Sequence, residues 1–271
     1  MTLLVVTADD FGVAVAVNEA VELAHERGIL TAASLMVAGA AAADAVERAR
    51  RMPRLGVGLH LDITQGRPIL PVDQVPDLVK ADGTFHRNLG RIGLRVATSK
   101  RVRKQMRAEI DAQFAAFVAT GLVFDHVNAH EHFHVHPIIA GMVLEAASRH
   151  GVMAIRAPVE PGRPGGSGWL AAPFARSLRR RARRRGLLVP DQVFGLAASG
   201  RMTADAIRGA VSKLHGGVNE LYLHPATEDD FVGHGPGYLH RAELSGLLDR
   251  TCMDAIRRSG ARLGSFSQYH G

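Results

Sequence analysis

This 271-residue chain carries one cysteine, Cys252. A lone cysteine excludes an internal disulfide framework and any multi-cysteine zinc site. It fits a reducing compartment. No run of about 18 consecutive apolar residues occurs, which excludes a transmembrane helix of ordinary length. The start of the chain lacks the basic segment of a secretory leader, and its short apolar run ends in Asp9-Asp10. A cytoplasmic protein is the expectation. No repeat at solenoid periods stands out, and no linker divides the chain. Hydrophobic residues make up 46% and charged residues 22%. Both lie near the globular average, so disorder is excluded for most of the chain and a sizeable core can form.

Acidic residues are missing where basic ones crowd. Lys and Arg total 33 against 26 Asp and Glu, a net charge of +7. Arg176, Arg179, Arg180, Arg181, Arg183, Arg184 and Arg185 are seven arginines in a stretch without an acid. They equal the whole excess, so the rest of the chain sums to zero. A solvated surface helix and contact with an anionic membrane surface are readings of equal standing; the second gains roughly 1 kcal/mol per basic residue. Nucleic acid ranks below both, because no aromatic residue interleaves these arginines.

Short apolar runs alternate with helical patterns. The pattern predicts strands over 3–8, 34–37, 56–61, 122–128, 152–157, 193–194, 220–223 and 262–266. It predicts helices over 15–27, 40–51, 103–120, 138–149, the Arg-rich segment, 203–214 and 241–257. Met106, Ile110, Phe114, Phe117 and Val118 form one apolar stripe. Residues 66–83 read as irregular and 159–170 as a Gly/Pro-rich loop. Trp169 in that loop reads equally as a substrate-contacting lid residue and as surface packing. About eight β–α units imply a parallel sheet. At this length a (β/α) barrel is the favoured closure and a doubly wound open sheet the second.

The polar residues that could carry chemistry fall at the ends of predicted strands. Asp9 and Asp10 follow the first strand and His60 ends the third. His126, Asn128 and His130 end the fourth, Arg156 the next, and His224 follows Leu221-Tyr222-Leu223. In a barrel those ends converge on the face where active sites are built. Five of the 14 histidines lie at even positions between 126 and 136. On an extended strand, period two aims them to one side. A catalytic zinc-type site uses about three protein ligands, so His132, His134 and His136 read as supporting or surface residues. His126 and His130 both remain candidates for a ligand. Asp9 or Asp10 could instead cap a turn. Two acids atop a buried strand also suit a division of labour, one binding a cation and one serving as a base. His224 is a candidate proton donor, and Arg156 either a structural ion pair or a partner of a catalytic carboxylate. Cys252 reads as a buried small apolar residue.

Thr7-Ala8-Asp9-Asp10-Phe11-Gly12, Gly58-Leu59-His60-Leu61, His126-Val127-Asn128-Ala129-His130, Arg156 and His224-Pro225-Ala226 resemble the YdjC-like carbohydrate deacetylases of the chitooligosaccharide deacetylase type. The similarity runs from about residue 2 to 268. Asn128, the run Glu131 to Pro137, and Asp191-Gln192-Val193-Phe194-Gly195 look closest to the branch associated with hopanoid biosynthesis. The resemblance implies a modified, TIM-like (β/α) barrel, a single domain over 1–271 in which the loop and Arg-rich helix of 159–190 are an insertion. It implies one divalent metal ion and hydrolysis of the acetamide of an N-acetylated sugar or glycolipid. Homodimers are known in the family. By motif, Asp10, His60 and His130 would hold the metal, Asp9 would be the general base, His224 the general acid, and Arg156 would orient Asp9. Two histidines and one aspartate suit Zn²⁺ best, with Mg²⁺, Co²⁺ and Mn²⁺ as alternatives. Asn128 and Glu131 depart from the chitooligosaccharide pattern, which tends to have Asp and His there. In the hopanoid branch the substrate would be lipid-linked N-acetylglucosamine, met at the inner membrane face. The rivals are a metal-dependent barrel hydrolase of another bond and a binding protein with a degenerate site.

Overall fold

The computed structural model describes residues 2–162 and 168–269. In chain order the elements are β1 (Thr2–Phe11), α1 (Val15–Arg27), β2 (Ala32–Leu35), α2 (Ala42–Arg51), β3 (Gly56–Leu61), α3 (Leu89–Thr98), α4 (Lys100–Ala119) and β4 (Val127–Ala129). They continue with α5 (Pro137–Arg149), α6 (Gly168–Arg183), β5 (Gln192–Phe194), α7 (Ala204–Val211), β6 (Gly217–Leu223), α8 (His240–Leu248), α9 (Arg250–Ser259) and β7 (Arg262–Leu263). All strand pairs are parallel, in the order β4-β3-β2-β1-β6-β5. β6 runs along one edge of β1; β7 pairs with the start of the other edge and β2 with its upper part.

The sheet curls until its outer strands approach. Val127 bridges Ile155, Ala154 bridges Leu188, and Val193 N–H donates to the Val159 carbonyl at 3.0 Å. The chain is thus an α/β protein with a curled parallel sheet, a half-barrel of TIM-like form.

Period two along the strands separates a dry outer face from an inner one. Leu4, Val6 and Ala8 join the main core with Val57, Leu59, Leu61, Leu221 and Leu223. Leu3, Val5, Ala32, Val218 and Phe266 form a small second cluster. The inward positions then turn polar toward the C-terminal strand ends: Thr7 and Asp9 on β1, Ser34 on β2, His60 on β3, Asn128 on β4, Glu220 on β6. All are buried. Gly58 faces the His126 ring, and a Cβ there would stand 2.4 Å from the His126 carbonyl oxygen. Only glycine lets that ring fill the interior.

Helix α1 and strand β3 have the predicted bounds. Elsewhere the structure corrects the pattern. The ladder expected over 122–128 is confined to Val127–Ala129, because Val123 lies outside the sheet and is 82% exposed. Residues 152–157 contribute only single bridges at Ala154 and Ile155. The helix expected over 241–257 is two helices, since the Asp249 carboxylate caps α9 by accepting from Thr251 N–H at 2.7 Å. Helix α3 was not expected, and α6 begins at Gly168, inside the expected loop. Residues 163–167 of that loop and the Trp169 side chain lie outside the described residues.

Candidate metal centre

At the top of β1 the pairing register shifts between Ala8 and Phe11, and Asp10 takes φ +63°. This twist sends two adjacent acids to different partners. Asp9 points inward: Arg156 donates to both of its oxygens and Asn128 Nδ2 to Oδ1, at 2.5 to 3.0 Å. Asp10 points to the mouth, with Oδ1 3.2 Å from His60 Nε2 and 3.1 Å from His130 Nδ1. Gly12 follows with φ +96°, and its N–H donates to Asn18 Oδ1 at 2.8 Å. A Cβ there would press on Leu35, the Met36 carbonyl and Ala42 at 3.1 to 3.2 Å.

One ligand atom each from Asp10, His60 and His130 lies within 4.8 Å of the others. His60 is prepared as a ligand. Asn128 Nδ2 donates to Asp9 and, at 2.8 Å, to Ser34 Oγ, so its Oδ1 must accept from His60 Nδ1–H at 2.7 Å. His60 Nε2 therefore carries its lone pair, and it is buried without a hydrogen-bond partner. A bare imidazole nitrogen aimed at a carboxylate and a second imidazole fits a divalent cation.

The electrostatics agree. Burial would raise the Asp10 pKa, but the charge of the neighbouring His130 outweighs it and holds the carboxylate well below its ordinary range. Burial would lower that of His130, yet Asp10 pushes it up to about 9. Burial likewise opposes ionisation of Asp9, and the Arg156 charge outweighs it and holds the carboxylate low. Arg156 is fully buried, also donates to Glu220 Oε1 at 2.7 Å, and lies 4.5 Å from the centre of the Tyr222 ring. Despite burial, Asp9 and Glu220 raise its pKa further.

His224 follows β6, with its ring 5.0 Å from that of Tyr238 and 5.7 Å from that of Tyr222. Burial lowers its pKa, against the pull of Asp10 and Asp9. Two clefts meet at the triad and share Asp10, His60 and His130. The polar one, about 290 Å³, is walled by Asp9, His132, Tyr222, His224, Ser199 and Tyr238. The other, about 350 Å³, is walled by Val13, Met36, Val37, Ala38, Ala40 and Val232.

The structure thus brings Asp9, Asp10, His60, His130, Arg156 and His224 together. It separates His126, which bonds Ser34 Oγ and Asp125 Oδ2 at 2.9 Å each and stands beneath the site. The extended course expected from 126 to 136 stops at Ala129. Glu131 and His132 take left-handed φ of +52° and +53°, and a 3₁₀ turn runs over His130–Val135. The remaining histidines therefore scatter: His132 Nε2 meets Tyr222 Oη at 3.0 Å, and His134 Nε2–H donates to the Arg156 carbonyl at 2.7 Å. Pattern reading missed Glu220, Tyr222 and Glu243. The first two share the inward period-two face with His224 and were legible there. Glu243 comes from α8 and accepts the backbone N–H of Met202 and His224.

On α6, Arg179 and Arg181 donate to the carbonyls of Asp191 and Pro137, and Arg183 pairs with Asp191. Arg176, Arg180 and Arg184 have no side-chain partner among the described residues.

A protein-family model described as YdjC-like protein matches residues 3–258. The chain belongs to the YdjC-like family. A human relative named carbohydrate deacetylase is 36% identical over 244 residues, which cover 82% of this chain and 74% of that one. A relative from Enterobacter sp. (strain 638) named chitooligosaccharide deacetylase is 30% identical over 270 residues, covering 97% and 98%. A Geobacillus stearothermophilus protein named carbohydrate deacetylase is 29% identical over 270 residues, covering 98% and 97%. A crystal structure from Enterococcus faecalis V583, described as a candidate cellobiose-phosphate cleavage protein, superposes with TM-score 0.79 over 98% of each chain at 24% identity, and so shares the fold. No helix of the described residues is long and apolar enough to cross a membrane.

Proposed function

We propose that this protein is a hydrolase, a cation-dependent N-deacetylase that cleaves the acetamide of an N-acetylated sugar, with the whole chain acting as one domain. The observation that carries the reading is the convergence of Asp10, His60 and His130, with Asp9 and His224 on the wall of the same cleft. Zn²⁺ is the cation that two imidazoles and one carboxylate suit best. When bound, it supplies Lewis acidity toward the acetamide oxygen and a neighbouring water. Asp9 accepts the proton of the attacking water. Arg156 and Asn128 hold Asp9 ionised and aimed. His224 gives a proton to the departing amine; burial makes its imidazolium the stronger acid, against the pull of Asp10 and Asp9. The amide C–N bond breaks, acetate retains the water oxygen, and the amine leaves neutral.

The substrate we favour is N-acetylglucosamine carried on a hopanoid lipid. Its support is the likeness of Asn128, the run Glu131 to Pro137 and the run Asp191 to Gly195 to that branch. A second support is the basic group of Arg176 and Arg180 on α6 with Arg184 in the turn just past its end, which suits the anionic inner face of a membrane. Soluble N-acetylchitooligosaccharides are the second substrate, after the name of the Enterobacter relative.

Acetate release by metal-loaded protein tests both, with N-acetylchitooligosaccharides and an N-acetylglucosaminyl hopanoid in detergent, each with a chelator control. Chelator-sensitive acetate from the lipid alone supports the lipid-linked substrate. Release from soluble sugars alone removes it. No acetate from either, with metal bound, removes the deacetylase reading.

A further inference from the structure

We propose that the enzyme accepts N-acyl groups longer than acetyl, with the acyl chain seated in the apolar cleft beside the metal triad; this rests on the deacetylase reading above. His224 and Asp9 line the polar cleft only. The amine that leaves must meet His224, so the amino sugar occupies that side. The carbonyl lies at the triad, which both clefts share, and the remaining substituent on the carbonyl carbon has the apolar cleft before it. That cleft holds about 350 Å³, roughly ten times the ~30 Å³ share of a water-sized group such as a methyl. Val13, Met36, Val37, Ala38 and Ala40 offer it no hydrogen-bonding side chain.

Of the polar residues that also line it, Asp62, Gln113 and Thr84 are already engaged, and Arg67, without a side-chain hydrogen bond among the described residues, is exposed. The Asp62 carboxylate accepts the N–H groups of Thr64, Gln65 and Gly66 at 2.7 to 3.0 Å. Gln113 bonds the Asp62 backbone at both its N–H and its carbonyl. Sugar hydroxyls would find few free partners there, whereas a saturated chain needs none. At the lip Val232 is 90% exposed, an apolar side chain that a chain in the cleft would cover. The chemistry is unchanged: the acyl C–N bond breaks, water oxygen goes to the acyl carbon, and the products are a fatty acid and the free amine.

The test compares N-acetyl-, N-butyryl- and N-hexanoylglucosamine with zinc-loaded protein. Each added methylene is expected to raise kcat/KM by about fourfold, the fold-change equivalent to ~0.8 kcal/mol per buried CH₂. Slower cleavage of the hexanoyl than of the acetyl compound overturns the proposal while leaving the deacetylase reading intact. Val232→Asp, at an exposed site, is expected to lower the hexanoyl-to-acetyl ratio; an unchanged ratio counts against the assigned cleft. If no compound is cleaved, calorimetry on the zinc-loaded Asp9→Asn variant decides separately. Tighter binding of the hexanoyl compound supports the cleft assignment, and equal or weaker binding overturns it.

Discussion

Asn128 holds His60 in one tautomer. Its side-chain oxygen accepts from His60 Nδ1 at 2.7 Å because its nitrogen is committed to Asp9 and Ser34. Ser34 in turn meets His126, and His126 meets Asp125, whose oxygens also accept the backbone N–H of Ser267. A buried chain of hydrogen bonds thus runs from the foot of the barrel to the candidate ligand.

Replacing Asn128 by Leu removes the acceptor for His60 and one donor to Asp9. Partners of this kind are worth 10–100-fold in metal affinity or activity. The expectation is zinc affinity down by about that factor, measured by competition with a chromophoric chelator. Asn128→Asp restores the acceptor for His60 and is expected to recover zinc affinity. Equal affinities for wild type and Asn128→Leu would detach Asn128 from the metal centre.

Arg156 neutralises two buried acids. Arg156→Met leaves Asp9 and Glu220 without a counter-charge, a defect of about 3–5 kcal/mol. The wild-type Asp9 pKa is depressed, so its ion pair contributes fully above the unfolded value of about 3.9 and is lost as pH falls through the lower folded one. In Arg156→Met the buried Asp9 carboxylate loses the charge that holds it ionised and prefers a proton, so stability is expected to rise as pH drops from 8 toward 5. Urea titrations across that range check for this slope, to which Asp9 of the wild type contributes nothing.

Glu243 behaves oppositely to Asp9. Burial pushes its pKa up to about 7, against the backbone N–H groups of Met202 and His224. Between the unfolded value of about 4.3 and 7 the folded chain binds the extra proton, so this group costs stability as pH rises through that window. Glu243→Gln is expected to remove that slope, worth up to roughly 3 kcal/mol. Comparing the unfolding free energies of both proteins at pH 5 and pH 8 measures it. Parallel pH profiles would show that Glu243 ionises freely in the folded chain.

Much of the site was legible because it is written in period two on short buried strands. Asp9, His60, Asn128, His130 and His224 could be placed at strand ends from apolar runs alone. The choice between His126 and His130 could not, since both fall at even positions flanking the same short strand; depth in the barrel separates them, and depth is set by the register between β3 and β4. Glu243 left no local signal, because its role is to accept N–H groups from segments far away in sequence. The half-barrel wall was over-read for a similar reason: residues 152–157 have the composition of a strand but find only single bridges. The resemblance supplied the ligand set, and the tautomer of His60 came from three-dimensional contacts alone.

The turn that carries His130 stores backbone strain. Glu131 and His132 both adopt left-handed φ, which costs a non-glycine residue roughly 1–2 kcal/mol. Glu131 is exposed and has no hydrogen-bond partner among the described residues, so removing its side chain breaks no hydrogen bond. Glu131→Gly is expected to stabilise the fold by about 1 kcal/mol, a Tm gain of roughly 2–4 °C for a chain of this size class. Glu131→Ala keeps the strain and serves as the control that does not gain. His130 stands one residue away, so the relaxed turn is also expected to weaken zinc binding, since the ligand loses a rigid mount. A higher Tm with weaker zinc affinity would mean that the strained turn exists to hold His130 against Asp10. An unchanged Tm would mean that the turn is set by its anchors, the His134 bond to the Arg156 carbonyl and Pro137 at the start of α5, and not by the preference of residue 131.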